Sequence, residues 1–217
     1  MKRLEIKTDV PFLTDEAIEA KAERLIDRYS REIAPIVASP VPVERIADFL
    51  LELSIDWSPI ADTDNEPILA LIDPSERAIR LNENRKEHFD QYFGSLAFTY
   101  AHEIGHHELH LTQGGIIQNQ FEEIGCQQYL CRMKKRDRRE IQANLFAGFL
   151  LMPTRMILTA QESYDFKKWS NLYQLSEQFS VSITALTRRL TDMGLVYIKN
   201  KVIYFSEAEA NGQLSMI

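Results

Sequence analysis

Residues 98–110, Phe98-Thr-Tyr-Ala-His-Glu-Ile-Gly-His-His-Glu-Leu-His110, hold four of the five histidines of this chain, all within nine residues. Inside lies His102-Glu103-Ile104-Gly105-His106, a His-Glu-x-x-His pattern. On a helix, residues i and i+4 stand one turn apart on one face, so two imidazoles reach one metal ion. Glu103 sits beside that face, where a carboxylate holds the proton of a coordinated water. Zinc bound in this way needs a third protein ligand and one open position. The plainer alternative is an exposed polar helix carrying several histidines. The helix predicted between Phe98 and Leu111 favours the metal.

Several residues compete for the third place. The pattern with a histidine six residues after the second one is excluded, because position 112 is Thr112. His110 is one turn further along, about 12 Å from His102 at 1.5 Å per residue, too far for three ligands on one rod to surround one ion. Pairing His106 with His110 is geometrically possible, but it puts His107 where the general base belongs. A second helix offers a better partner. Glu140 opens the run Glu140-Ile-Gln-Ala-Asn-Leu-Phe-Ala-Gly-Phe-Leu-Leu-Met-Pro153. Glu140, Ala143, Asn144, Ala147 and Leu151 share a face, and its alanines permit close approach to another helix. A carboxylate and an amide on such a face are predicted to be buried, which is unfavourable unless they are paired or bound to metal. A first-turn glutamate favoured by the helix dipole is the competing explanation.

Around these two segments the pattern predicts an α+β fold. Thr14 caps a helix running to about residue 34, with Ile18, Ala22, Leu25 and Ile26 on its apolar face. Pro35, Pro40 and Pro42 form a linker. A second helix covers Val43 to Leu53, apolar at Ile46, Phe49, Leu50 and Leu53, and Ser54 to Trp57 reads as a short strand. Ile68–Ile72 and Ala78–Leu81 read as two strands joined at Pro74. Gln118 to Met133 reads as helical. Arg138 to Leu151 is a helix that stops before Pro153. Leu172–Phe179 and Ser182–Met193 form helix, turn, helix, with Gly194 as C-cap. A hairpin follows, Val196–Ile198 and Val202–Phe205, giving the order of a winged helix. The expected division is a zincin-like domain over residues 1–160, mainly helical with a small antiparallel sheet, and a winged-helix-like domain over 161–217.

Composition narrows the classes. Acidic residues exceed basic ones by 32 to 25, a net charge of −7, which argues against a surface built throughout for nucleic acid. Cys126 and Cys131 are too few for a disulfide scaffold and lack the spacing of a zinc knuckle. The first residues lack the apolar core of a signal peptide, and the longest apolar run, Leu145 to Pro153, is far short of the roughly 20 residues that cross a bilayer. A cytoplasmic protein with no membrane partner is therefore expected. The basic run Arg132–Arg139 reads as a solvated helix end, or as an electrostatic guide for an acidic segment.

Taken together, Phe98–His110, Glu140-x-x-Ala-Asn-x-Phe-Ala-x-x-Leu-Leu-Met-Pro153, the hairpin ending Ile79-Arg-Leu-Asn82 and the tail from Leu175 to Leu190 resemble the ImmA/IrrE family of metallopeptidases. The resemblance spans roughly residues 40–200. It implies zinc held by His102, His106 and Glu140, Glu103 as general base, and a helix-turn-helix-like unit behind the catalytic domain. It also implies a substrate class, transcriptional repressors with their own helix-turn-helix. Where members of the family often carry a basic residue before the Phe-Thr, this chain has Tyr92-Phe-Gly-Ser-Leu. No repressor domain precedes the peptidase, so the expected substrate is a separate protein encoded nearby.

Tyr100, His107 and Arg155 are candidates to stabilise the oxyanion, and spacing does not choose among them. Asn144, one turn after Glu140, is the candidate to orient a histidine. Imidazole and carboxylate ligands also accept Mn2+ or Fe2+. Between residues 163 and 205 the tail carries six basic residues against three acidic ones, which permits DNA contact but equally suits protein docking. The expected function is a zinc-dependent endopeptidase acting on a repressor. The competing reading is a DNA-binding regulator, or a toxin–antitoxin component, with a structural or dormant metal site.

Overall fold

A computed structural model describes residues 11–62, 67–111, 129–132 and 138–212. Helix α1 (Asp15–Glu32) starts where Thr14 accepts a hydrogen bond from the Ala17 amide at 3.3 Å, and it buries the stripe Ile18, Ala22, Leu25, Ile26 and Tyr29. After the proline linker comes the short helix α2 (Val43–Arg45), which widens into a π turn, Ile46–Leu50. The extra residue per turn rotates the apolar face. Phe49, predicted to point inward, is exposed and stacks under Arg45, while Ala47 takes a core position beside Ile46 and Leu50.

Four strands form one sheet in the order β1-β3-β2-β4: β1 (Ser54–Ser58), β2 (Ile68–Asp73), β3 (Ala78–Asn82) and β4 (Tyr129–Arg132). The sheet is mixed, not antiparallel as the sequence suggested, because β1 runs parallel to β3. The chain leaves β1, skips one position to build β2, turns, and returns as β3 between them. Asn82 holds the skipping link in place. It is fully buried, its amide donates to the carbonyls of Ile60 (3.0 Å) and Ile68 (2.7 Å), and its oxygen accepts from Ile60 N (3.1 Å). At the β2–β3 turn, buried Asp73 accepts from the Ser75 and Glu76 amides and from the Ser75 hydroxyl, at 3.0, 3.3 and 2.6 Å. Strand β4 corrects the helix expected over Gln118–Met133. Residues 129–132 pair with the edge of β2, where ladder hydrogen bonds outweigh local helical tendency, and the rest of that stretch, with Cys126, lies outside the described residues.

Helix α3 (Lys86–Gln91), absent from the sequence reading, leads to α4 (Ser95–His106), which continues as a π turn through Leu111. All eight residues from Thr99 to His106 are buried, because α4 lies between β2 and helix α5 (Arg138–Leu151). Gly105 is the point of closest approach: a Cβ there would sit 3.1 Å from both Cα and O of Ala143. After Pro153 follow α6 (Thr154–Gln161), α7 (Trp169–Gln178) and α8 (Ile183–Asp192), the hairpin β5 (Tyr197–Lys199) and β6 (Val202–Tyr204), and α9 (Glu207–Ala210). Ser182 caps α8 and Gly194 closes it at φ +69°. The predicted order of helix, turn, helix and hairpin is present.

This C-terminal stretch is packed into the rest of the molecule. Arg189 donates to Glu19 (2.6 Å) and Thr154 (2.8 Å), and lies over the Phe149 ring at 4.6 Å. Gly94 (φ +80°), at the start of α4, abuts the turn before α8: a Cβ would meet Val181 Cα at 2.8 Å and Ser180 O at 2.9 Å. One buried apolar cluster runs from Ile18 to Ile203. Among the described residues, no single helix is long and apolar enough to cross a membrane.

Candidate metal centre

Helix α4 presents His102 and His106 one turn apart toward the first turn of α5, where Glu140 stands. The close approach at Gly105 and Ala143 brings the three side chains together. His102 Nε2 and His106 Nε2 are 3.0 Å apart, Glu140 Oε2 is 3.4 Å from His102 Nε2, and Glu140 Oε1 is 3.3 Å from His106 Nε2. Among the described residues these three are the group able to hold a metal ion. Their ligand atoms span one face of a tetrahedron whose edges are about 3.3 Å for bonds of about 2.0–2.1 Å, the bond lengths of zinc with nitrogen and oxygen.

The donor set fits a cation chemically as well. Asn144 Oδ1 lies 3.0 Å from His102 Nδ1. An amide oxygen only accepts, so Nδ1 of His102 carries the hydrogen and Nε2 turns a lone pair toward the carboxylate. Two acceptors facing each other at this distance repel unless a positive charge lies between them. Burial pushes the Glu140 carboxyl up, but positive charge on the facing imidazoles, in the place a cation would take, outweighs it and holds it down at about 2. Burial also lowers His106, which favours the neutral ring that a metal requires.

Glu103 is fully buried, and neither carboxylate oxygen makes a hydrogen bond of good geometry among the described residues. Burial pushes its carboxyl up to about 8. The His102 charge works against this, Glu140 adds to it, and the Ile72 backbone pulls weakly toward the anion without completing a hydrogen bond. A buried carboxyl so weakly engaged among the described residues, beside a ligand cluster, is placed to exchange a proton with water rather than to support the fold.

The other sequence candidates are dispersed. Asn144 meets His102 as expected, yet it is exposed at the margin of its helix face, where burial had been predicted; Ala143, Ala147 and Leu151 are the buried members. Tyr100 is a core residue whose hydroxyl is pushed up to about 12 by burial and by Glu44, away from the cluster. His107 pairs with Glu108 at 3.2 Å, and Arg155 pairs with Asp27 at 3.0 Å in solvent. His110 points Nε2 at the Arg139 carbonyl (3.3 Å) and is held by burial at about 4, so it is a neutral neighbour and not a member of the cluster.

Two features escaped sequence reasoning. Gly105 fills the second variable position of the motif because two helices touch there, and a glycine facing Ala143 is a weak signal without the partner helix in view. The second is a cleft of about 1480 Å³ along α5, which Asn144 enters from one wall. It gathers residues from Asp15 to Leu195, so no local pattern announces it. The ligand histidines do not line it; Asn144 and Phe98, whose ring centroid is 6.1 Å from that of His102, connect the two.

No curated protein matches this chain. A solved structure of a Mycobacterium tuberculosis transcriptional regulator is similar at 15% identity and a TM-score of 0.49, over 82% of this chain and 48% of that one. This chain therefore spans about half of that protein. Residues 71–191 match the IrrE N-terminal-like domain (Peptidase_M78), a peptidase family. That span exceeds half of the chain and includes both histidines, Glu103 and Glu140, and by this match the chain belongs to the IrrE N-terminal-like peptidase family.

Proposed function

We propose that this chain is a zinc-dependent endopeptidase that acts in the cytoplasm on a separate protein, a helix-turn-helix transcriptional repressor encoded nearby. The observation that carries the reading is the convergence of His102, His106 and Glu140 within 3.0–3.4 Å of one another, next to the fully buried carboxyl of Glu103. Zinc is the metal proposed, since the edge lengths suit it and the family is zinc-dependent. When bound, the ion supplies Lewis-acid polarisation of the scissile carbonyl and of a water.

The remaining work falls to the chain. His102, His106 and Glu140 would hold the ion, and Asn144 fixes the His102 ring and its tautomer. Glu103 takes the proton of the attacking water on its carboxylate and delivers it to the leaving amine nitrogen. Burial raises its proton affinity, which suits a group that accepts a proton and passes it on.

Residues 161–217 are proposed as a winged-helix-like docking unit in preference to a DNA reader. Lys167 pairs with Glu209 (2.6 Å), Lys168 with Asp165 (3.4 Å) and Arg188 with Asp192 (3.7 Å), while Arg189 is turned inward to Glu19. Four of the six basic residues of the tail are thus engaged within the chain, and among the described residues Lys199 meets only the Asn211 amide, which leaves little unpaired charge for phosphate.

Replacing Glu103 tests the catalytic reading, because a structural metal site has no use for it. The Glu103→Gln chain is expected to retain one zinc per molecule by elemental analysis. Its cleavage of the neighbouring repressor should fall by about 10²–10⁴-fold, the usual contribution of a general base. A variant that cleaves at the parent rate overturns the assignment.

A further inference from the structure

The cleft along α5 has a composition of its own. Its volume, about 1480 Å³, exceeds the roughly 300–1,000 Å³ of small-molecule sites, so its size suits a segment of polypeptide. Four large apolar side chains that line it, Tyr92, Phe93, Ile141 and Leu158, are each 46–58% exposed. Such a concentration on one concavity marks a surface made to be covered.

Its charges are unequal. Arg188 is matched by Asp192 and Arg189 by Glu19, and Arg85 pairs with Asp62. Asp15 and Glu16, in the first turn of α1, line the cleft and have no ion pair among the described residues. The uncompensated charge at the rim is negative, like that of the whole chain, at −7.

We propose that this cleft receives an amphipathic helix carrying basic residues, presented by the protein substrate, with its apolar face on Ile141 and Leu158 and its cations beside Asp15 and Glu16. Helices laid into apolar grooves are a general mode of peptide recognition, and segments that face phosphates in DNA-binding proteins are basic. The inference rests on the proposed function in naming the occupant a substrate and in giving it a DNA-binding surface; the apolar lining and the acidic rim stand without it. Asn144 stands exposed in the wall of this cleft and meets His102 Nδ1 at 3.0 Å, so the cleft adjoins the metal site.

The test uses two fluorescein-labelled helical 14-mers, one built of leucine and lysine and one of leucine and glutamate. Binding to the full-length Glu103→Gln chain is read by anisotropy at low salt. The lysine peptide should bind at least about tenfold more tightly than the glutamate peptide. Joint Asp15→Lys and Glu16→Lys substitution should narrow that preference by about tenfold, and Ile141→Asp or Leu158→Asp, at half-exposed positions, should weaken the lysine peptide by about tenfold. Equal binding of both peptides, or indifference to Ile141→Asp and Leu158→Asp alike, overturns the proposal. So does a dimer, seen by sedimentation, that Ile141→Asp dissolves, since a second copy would then be the occupant. Binding is scored without hydrolysis, so the cleft survives if the parent chain proves unable to cleave, and the peptidase reading survives if the peptides do not bind.

Discussion

Asn144 joins two environments through one amide. Its oxygen holds a buried histidine, while the rest of the side chain faces the cleft. Sequence spacing puts it one turn after Glu140 and reads it as buried; the face it shares with Ala143 and Ala147 ends at Asn144, which is exposed. Asn144→Ala should leave the fold intact and lower zinc affinity by about 10-fold, at the weaker end of such effects because the contact is partly exposed. Competition with a chromogenic chelator measures this, and Asn144→Asp, which keeps an acceptor, should restore most of the affinity. At this scale the sequence was most legible. The i, i+4 spacing of His102 and His106 needs only helix geometry, and Glu140 stands out as a charge on a small-residue face. The roles of Tyr100 and Arg155 could not be read, because each depends on a distant partner, Glu44 and Asp27, while His107 is engaged by its own neighbour Glu108.

Between elements, the contact of α4 with α5 decides whether the ligands meet. A methyl group on Gly105 would press on backbone atoms of Ala143 at 3.1 Å and on Phe146 Cβ at 3.3 Å. Backbone cannot swing aside as a long side chain does, so the helices must separate by a few tenths of an ångström. Gly105→Ala is expected to lower stability by about 1–3 kcal/mol, the usual range for overpacking, despite the better helix propensity of alanine. Zinc should bind more weakly in the same variant, since Glu140 rides on α5; urea melts with and without zinc separate the two effects. Elements with strong local signals, such as α1 with its Thr14 cap and α8 with Ser182 and Gly194, were legible. The β2–β3 and β5–β6 hairpins were legible too, whereas β4 and the direction of β1 were not. Strand β4 exists because β2 offers it an edge, and the parallel β1 depends on the link that Asn82 clamps from across the sheet. The π turn at Ile46–Leu50 shifted a face by one residue and so displaced Phe49.

Across the whole molecule, the fold class and family were legible because their motifs are local and paired. The cleft was not, because it is assembled from both ends of the chain. One polar cluster joins those ends: Arg189 reaches Glu19 and Thr154, and the Thr154 hydroxyl itself donates to Glu19 at 2.5 Å. Removing the cation leaves Glu19 partly buried without its partner. Arg189→Ala should therefore destabilise the chain by on the order of 2 kcal/mol in urea unfolding, with the loss of Phe149 stacking included. Exchanging both partners for apolar residues, Glu19→Leu with Arg189→Met, should recover most of the loss, because neither charge is then left alone.

The seating of Val181 and Ser180 on Gly94 sets a condition on modularity. The tail cannot be traded between relatives as a free cassette. A graft from another chain fits only if its own inter-helix turn is as thin at that spot, or if the recipient keeps a residue without a side chain where the histidine-bearing helix begins.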